Sequence, residues 1–173
     1  FASLGLPVII VNPTAPIGEY DWKPTPTGKI VVDFLRKALP AYLETGLNIV
    51  DVRDVAQGHL TAMERGRSGE RYILGGRNMM LREIFRTLSK ISGQPAPKVR
   101  IPYAVAYAYG LTSTIAAKLT KQTPLAPLDA VRMARKRMFV KSEKAEREIG
   151  FVAGPVEQAF ERAVQWFRNN QYC

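Results

Sequence analysis

Apolar positions along this chain follow two rhythms. Short uninterrupted runs rich in β-branched residues alternate with stretches repeating every three to four residues, the pattern of strands joined by helices. The first run, Leu6 to Val11, is apolar at every position. A strand over Pro7–Val11 with no polar face belongs in the middle of a covered, parallel sheet. Such a strand needs neighbours, and no strand-like run precedes it, so the expectation is a chain that begins partway through a fold. The run ends at Asn12-Pro13-Thr14-Ala15-Pro16-Ile17-Gly18. Prolines 13, 16, 24 and 26 predict a stiff, irregular loop to about Thr27. Open α/β sheets place ligands beyond the carboxyl ends of their strands.

After Thr27-Gly28 the period becomes helical, with Ile30, Val31, Phe34, Leu35 and Leu39 on one stripe. Leu47–Val52 reads as a second strand and Val55–Glu64 as the helix after it, with Asp54 as its N-cap. Gly66 and Gly69 end that helix, and Arg71–Leu74 is a third strand closed by Gly75-Gly76. Leu81–Ile91 is a helix stopped by Gly93 and Pro95. Lys98–Ile101 is a short extended piece. Tyr103 to Ala117 is a charge-free apolar stretch that carries three tyrosines, a glycine, two threonines and a serine; it predicts a buried or pocket-lining helix and is too short for the ~20 residues of a bilayer span. Leu125–Arg137 predicts another helix. Ser142 is the expected N-cap of a helix ending at Gly150. The last helix runs from about Pro155 to Asn169, with Val156, Ala159, Phe160, Ala163, Val164 and Phe167 facing inward. Proline fits a first helical turn, where its missing N–H has no partner to lose.

Composition adds three constraints. A length of 173 residues with 46% apolar content is one or two soluble domains. The single cysteine, Cys173, argues against a disulfide framework and fits a reducing, cytoplasmic compartment. The net charge of +10 is uneven: eight basic residues between Lys118 and Lys144 face only Asp129 and Glu143, giving +6 for that segment. Its core is Arg132-Met133-Ala134-Arg135-Lys136-Arg137. The charge reads as a solvated helix face, or as a rim for an anionic substrate or a peripheral membrane contact. Nucleic acid is disfavoured, because no aromatic-interleaved or recognition-helix pattern accompanies it.

The chemistry-bearing motifs of nucleotide-dependent enzymes are missing from these residues. The nearest approach to a glycine fingerprint, Gly66 to Gly69, precedes a strand, whereas pyrophosphate binding needs a helix N-terminus. No tyrosine is followed four residues later by lysine. No cysteine–histidine cluster has metal-ligand spacing, so no metal site is expected. His59 lies in a helical run and reads as a packing or surface histidine.

Three ordered segments carry a resemblance: Val11 to Gly18; Asn48-Ile49-Val50-Asp51-Val52-Arg53-Asp54-Val55-Ala56-Gln57-Gly58-His59; and Gly69 to Gly76. With Lys144-Ala145, Ile149-Gly150-Phe151 and the Trp166-Phe167 helix, the chain resembles the C-terminal half of an extended short-chain dehydrogenase/reductase. Within that family it is most similar to dihydroflavonol-reductase-like NAD(P)-dependent epimerase/dehydratases, nearest the hopanoid-associated sugar epimerases. The resemblance implies an α/β fold made of the last strands of a Rossmann-type parallel sheet plus a mostly helical substrate-binding domain. The implied division is a final Rossmann strand and cleft loop over 1–27, a helix, strand–helix and last strand over 28–76, and a capping domain over 77–173. Arg71–Leu74 would lie beside the first strand.

The resemblance further implies that the glycine fingerprint and the Tyr-x-x-x-Lys pair belong to a half ahead of this one, so no catalytic residue is expected here. NAD or NADP would be bound mainly by that missing half, with Pro13 and Thr14 touching the nicotinamide end. Asn12 and Arg53 would meet the substrate, a sugar derivative or small hydroxy or keto compound. Asn12 equally reads as a turn residue capping its own backbone. Asp54 keeps its structural reading as a helix cap. Sugar-nucleotide epimerases often place a diphosphate-clamping arginine where Leu47 stands, and leucine cannot replace its fork of donors; a smaller or more apolar substrate gains from this. A homodimer, a non-catalytic binding protein of the same fold, and a basic membrane- or anion-binding scaffold remain alternatives.

Overall fold

The computed structural model describes residues 4–120 and 128–173. Its elements follow in the order β1 (Ile10–Pro13), β2 (Ala15–Ile17), α1 (Pro26–Leu35), β3 (Ala41–Leu43), β4 (Gly46–Asp51), α2 (Val52–Arg65), β5 (Arg71–Leu74), β6 (Arg77–Met80), α3 (Leu81–Ser92), β7 (Val99–Ile101), α4 (Tyr103–Thr120), α5 (Leu128–Ala134), α6 (Glu143–Ile149) and α7 (Val156–Asn169). Three small sheets result. β1 pairs in parallel with β5, from Ile10 opposite Arg71 to Pro13 opposite Leu74, as the resemblance implied. β4 has parallel β2 on one side and antiparallel β6 on the other. β3 and β7 form a parallel pair.

β4 organises the core because it is buried on both faces. Side chains alternate across a strand, so Ile49 and Val50 enter different clusters. Ile49 joins Ile17, Met79 and the inner faces of α1, α3 and α7, including Val31, Phe34, Phe85, Phe160 and Phe167. Val50 joins Tyr72 and Leu74 of β5, Val55 and Ala62 of α2, and Ala145, Ile149 and Phe151 around α6. All six positions expected to face inward on α7 are buried. Gly93 and Gly150 stop α3 and α6 in the left-handed conformation, at φ +74° and +72°, which glycine adopts without steric cost.

Several expectations are corrected. β1 starts at Ile10, later than Pro7, and is not buried on both faces: Ile10 is 38% exposed. The proline-rich segment is not wholly irregular. It holds the end of β1 and all of β2, because Pro13 closes a strand and Pro16 lies in an edge strand, where a missing N–H interrupts little. α4 is not buried. Val105, Tyr109, Ile115 and Leu119 are 51–80% exposed, and α4 packs chiefly on α5. Of the helix expected over 125–137, α5 covers Leu128–Ala134; the first three positions lie outside the described residues, and Arg135 to Arg137 have left the helix.

Two caps are also reassigned. Asp54 is not the N-cap of α2. The helix starts three residues earlier than its apolar period shows, so Asp51 takes that place, its Oδ1 accepting from the Arg53 N–H at 2.9 Å. Asp54 falls inside the first turn and accepts from the Gly154 N–H at 2.7 Å, tying α2 to the approach of α7. Ser142 stands at the N-cap of α6 but makes no capping bond. Its hydroxyl accepts from the Gly75 N–H at 2.9 Å and donates to the Gly75 carbonyl at 3.0 Å.

Candidate functional site

Parallel β1 and β5 end together at Pro13 and Leu74, so both carboxyl ends deliver the chain to one place, the position where open α/β sheets bind ligands. A cavity of about 300 Å³ opens there. Asn12, Pro13, Thr14 and Ala15 form one wall; Leu47, Ile73, Met138 and Val140 supply the apolar remainder, with Asn48 behind them. The three consecutive residues singled out in the sequence therefore share a single cavity, and Leu47 faces the same space.

Asn48 is 2% exposed and holds the walls together. Its Oδ1 accepts from the Thr14 hydroxyl at 2.8 Å and the Gly76 N–H at 2.9 Å. Its Nδ2 has three acceptors in reach: Asn78 Oδ1 at 2.7 Å, the Gly76 carbonyl at 3.1 Å and the Val140 carbonyl at 3.4 Å. A carboxamide has two donors and two acceptor lone pairs, so Asn48 has nothing left for a ligand. Asn78 continues the network by accepting from the Val140 N–H at 3.2 Å. Sequence reasoning passed over Asn48. The available signal was a lone carboxamide inside an apolar, doubly buried strand, where a polar side chain must find partners.

The same accounting separates the three turn residues. Thr14 spends both donors, its hydroxyl on Asn48 and its N–H on the Leu74 carbonyl at 3.2 Å, so toward the cavity it offers only a lone pair and a methyl group. Pro13 has no N–H. Asn12 is exposed, and its carboxamide makes no hydrogen bond among the described residues. It alone of the three brings both a donor and an acceptor to the cavity.

Arg53 is not part of this wall. Its Nε donates to Glu19 Oε1 at 2.6 Å, beside a second hollow of about 160 Å³ bounded by Pro16 to Asp21, Thr25 and Val52. Arg162 donates to Glu19 Oε2 at 2.9 Å and pairs with Asp51 Oδ2. Two carboxylates and two guanidiniums thus close a neutral quartet at the start of α2. Burial pushes the Glu19 carboxyl upward, but its own backbone N–H and the two arginines outweigh that and leave its pKa below 4.5. Asp51 foremost, then Glu19, raise the pKa of Arg162 against the opposing effect of its burial. Arg53 is 64% exposed at its side chain, and an ion pair in that setting contributes little to stability.

His59 is exposed on α2, with Nδ1 2.8 Å from the Val55 carbonyl one turn back. Among the described residues no three His, Cys, Asp or Glu side chains gather as metal ligands would. A further hollow of about 420 Å³ lies where β3 and β7 meet α4, lined by Glu44, Arg100, Tyr103 and Arg135 among others.

Comparison with known proteins gives a consistent picture. No family model matches the chain. It is 43% identical to a putative dihydroflavonol 4-reductase of Synechocystis, over 99% of this chain and 51% of that protein. It is 31% identical to sterol demethylase protein B of Methylococcus capsulatus, over 95% of this chain and 51% of that one. The crystal structure of a nucleoside-diphosphate-sugar epimerase from Pseudomonas aeruginosa superposes with a TM-score of 0.79 at 32% identity, covering 99% of this chain and 51% of the other. The chain spans about half the length of the relatives it matches. The paired strands, the turn at their ends and these likenesses agree: the chain is similar, over nearly its whole length, to about half of a dihydroflavonol-reductase-like protein and of an epimerase of known structure.

Proposed function

We propose that this chain is the substrate-binding, C-terminal half of an NAD(P)-dependent oxidoreductase of the epimerase/reductase type, and that its substrate is a compact, largely apolar alcohol or ketone. The observation that carries this is the joint placement of Asn12, Pro13, Thr14 and Leu47 around one cavity at the carboxyl ends of β1 and β5. Ligand pockets of this kind are mostly apolar with a few polar fixings. Leu47, Ile73, Met138 and Val140 exclude water, and Asn12 supplies the fixing.

The residues present suit one end of a nicotinamide. Asn12 has both a donor and an acceptor to give a carboxamide or a hydroxyl, and Pro13 and Thr14 would hold the ring against the turn. When bound, the nicotinamide supplies hydride transfer at a carbon bearing hydroxyl or carbonyl. This chain orients that carbon, keeps the cavity dry and contributes no acid or base. Proton transfer would fall to residues of the nucleotide-binding half. β1 has a strand on one side only among the described residues, and an open edge of this kind accepts further strands, which supports that half docking there.

The test uses the native protein that carries this half. Asn12→Ala should lower turnover at least about tenfold with the melting temperature unchanged, the sign of an interaction made in the transition state. Unchanged turnover would reduce Asn12 to a turn residue. Leu47→Arg should raise KM for an apolar alcohol at least about tenfold, since a buried guanidinium without a partner is costly. If that variant instead gains turnover on a sugar nucleotide while the wild type ignores apolar alcohols, the substrate class is overturned.

A further inference from the structure

We propose that the face formed by α4 and α5 docks on an anionic lipid bilayer, with the outer side of α4 entering the headgroup region and the cations of α5 and the residues just after it meeting lipid phosphates. Three observations, none of which depends on the catalytic reading, carry this.

The first is the outer side of α4. From Tyr103 to Ala117 the helix has no charged residue, and only Gly110 is fully buried within that stretch. Val105 is 58%, Tyr109 55%, Ile115 51% and Leu119 80% exposed. A surface helix of a globular protein normally turns charged residues outward; here the outward side carries Val105, Tyr109, Leu111, Ile115 and Leu119, with Thr112 as its polar interruption. Met133 of α5 adds a side chain 62% exposed. A patch of this extent, unlike scattered apolar residues, marks an interaction surface.

The second is the charge beside it. The Arg135 guanidinium lies 5.8 Å over the Tyr103 ring, which places a cation at the start of α4. Arg132 lies by Tyr107, one turn on, which is the main cause of its raised pKa, and 3.4 Å from Asp129. Lys136 and Arg137 are exposed. No carboxylate pairs with Arg135, Lys136 or Arg137 among the described residues. Arg135, Lys136 and Arg137 thus form a run of three consecutive cations without a carboxylate, beside the apolar row.

The third is geometric. No described helix is long and apolar enough to cross a membrane, so α4 would lie along the interface. An interfacial helix combines an apolar face with neighbouring lysines and arginines, and its binding depends on both. Charge decides between occupants. A second copy would bring Arg135, Lys136 and Arg137 against their own like, whereas acidic headgroups attract basic residues near the surface.

The native protein that carries this half should co-sediment with vesicles of phosphatidylcholine mixed with phosphatidylglycerol and not with vesicles of phosphatidylcholine alone. Raising the salt from about 0.05 M to about 0.5 M should weaken binding at least about tenfold, because the Debye length shrinks below the spacing of the groups. Tyr109→Asp with Ile115→Asp should abolish binding at either salt. Arg135→Gln, Lys136→Gln and Arg137→Gln together should weaken it at least about tenfold. Met63→Asp, at a position 71% exposed on α2, should leave it intact. Circular dichroism matching the wild type keeps each variant informative. Absence from the anionic vesicles, equal binding to neutral ones, or binding that survives both the aspartate pair and the glutamine triple overturns the proposal. So does a dimer that loses stability with the aspartate pair while vesicles are ignored.

Discussion

The sheet around β4 and the pair α4–α5 solve opposite problems with similar amounts of apolar sequence. Around β4 the apolar residues are spent inward: Ile49, Val50, Phe160 and Phe167 are each at most 1% exposed, and Arg77 and Arg162 beside them hold carboxylates. On α4 the apolar residues point outward, and Arg135, Lys136 and Arg137 beside it hold none among the described residues. Hydrophobicity alone therefore does not place a segment inside. What separates the two is periodicity. The helices around β4 confine their apolar residues to one stripe, while those of α4 are spread around the helix.

The largest expected effect tests that contrast directly. Phe167→Ala, emptying a fully buried site, should cost about 3–5 kcal/mol in urea unfolding, the usual range for deleting a buried aromatic ring. Tyr109→Ala removes a ring of similar size that is 55% exposed, and should fall within about 0.5 kcal/mol of wild type, as surface changes do. A comparable loss at Tyr109 would mean that α4 is covered in solution and that the contrast is false.

Next in size is the polar knot behind the candidate site. Asn48→Ala leaves the Gly76 N–H, the Thr14 hydroxyl and the Val140 and Gly76 carbonyls short of a partner. Unmet buried groups cost about 1–3 kcal/mol each, and water entering the gap offsets part of the sum; about 3 kcal/mol is expected by urea unfolding. Thr14 would also be released, so substrate binding should weaken in parallel. Stability lost without any change in binding would separate the knot from the site.

How much of this was legible in the sequence follows from the same physics. Helices with a one-sided stripe, α3 and α7, are read to within a residue or two, because burial fixes which positions repeat. The β1–β5 pairing came through the resemblance and not through periodicity, which cannot say which strands meet. β6 was missed: Arg77 to Met80 carries no alternation, and it forms because Gly75-Gly76 turns the chain back along β4. Asn12, Pro13 and Thr14 were legible as a turn at a strand's end. Asn48 and Arg162 were not, since their partners lie 34 and 111 residues away. Asp54 was taken for a cap because the apolar period of α2 begins at Val55, whereas its backbone turns helical at Val52.

That reassignment orders two aspartates. Asp51→Ala removes the α2 cap and one partner of Arg162, and should cost about 2 kcal/mol, the upper end for an N-cap. Asp54→Ala removes one bond to the Gly154 N–H and should cost about 1 kcal/mol, a usual value for a single hydrogen bond. Guanidinium chloride midpoints of the two variants decide the order, and the reverse order would restore Asp54 to the cap.

The smallest effect concerns acid, and again sets one region against the other. Glu19 has its pKa lowered in the folded chain by its backbone N–H and by Arg53 and Arg162, against the opposing pull of burial. A carboxylate with a depressed folded pKa adds stability that is complete above its unfolded value, near 4.5, and that is lost as the pH falls through the lower folded value. Glu19→Gln cannot take part in that loss. Its urea midpoint should lie below the wild type at neutral pH, and the two should converge as acid protonates Glu19. The α4–α5 pair offers no counterpart: Asp129 is 88% exposed at its side chain and 3.4 Å from Arg132, an arrangement that contributes almost nothing. Asp129→Asn should therefore leave the urea midpoint at neutral pH unchanged. A midpoint lowered by Asp129→Asn and untouched by Glu19→Gln would reverse the contrast of buried and exposed charge on which the comparison of the two regions stands.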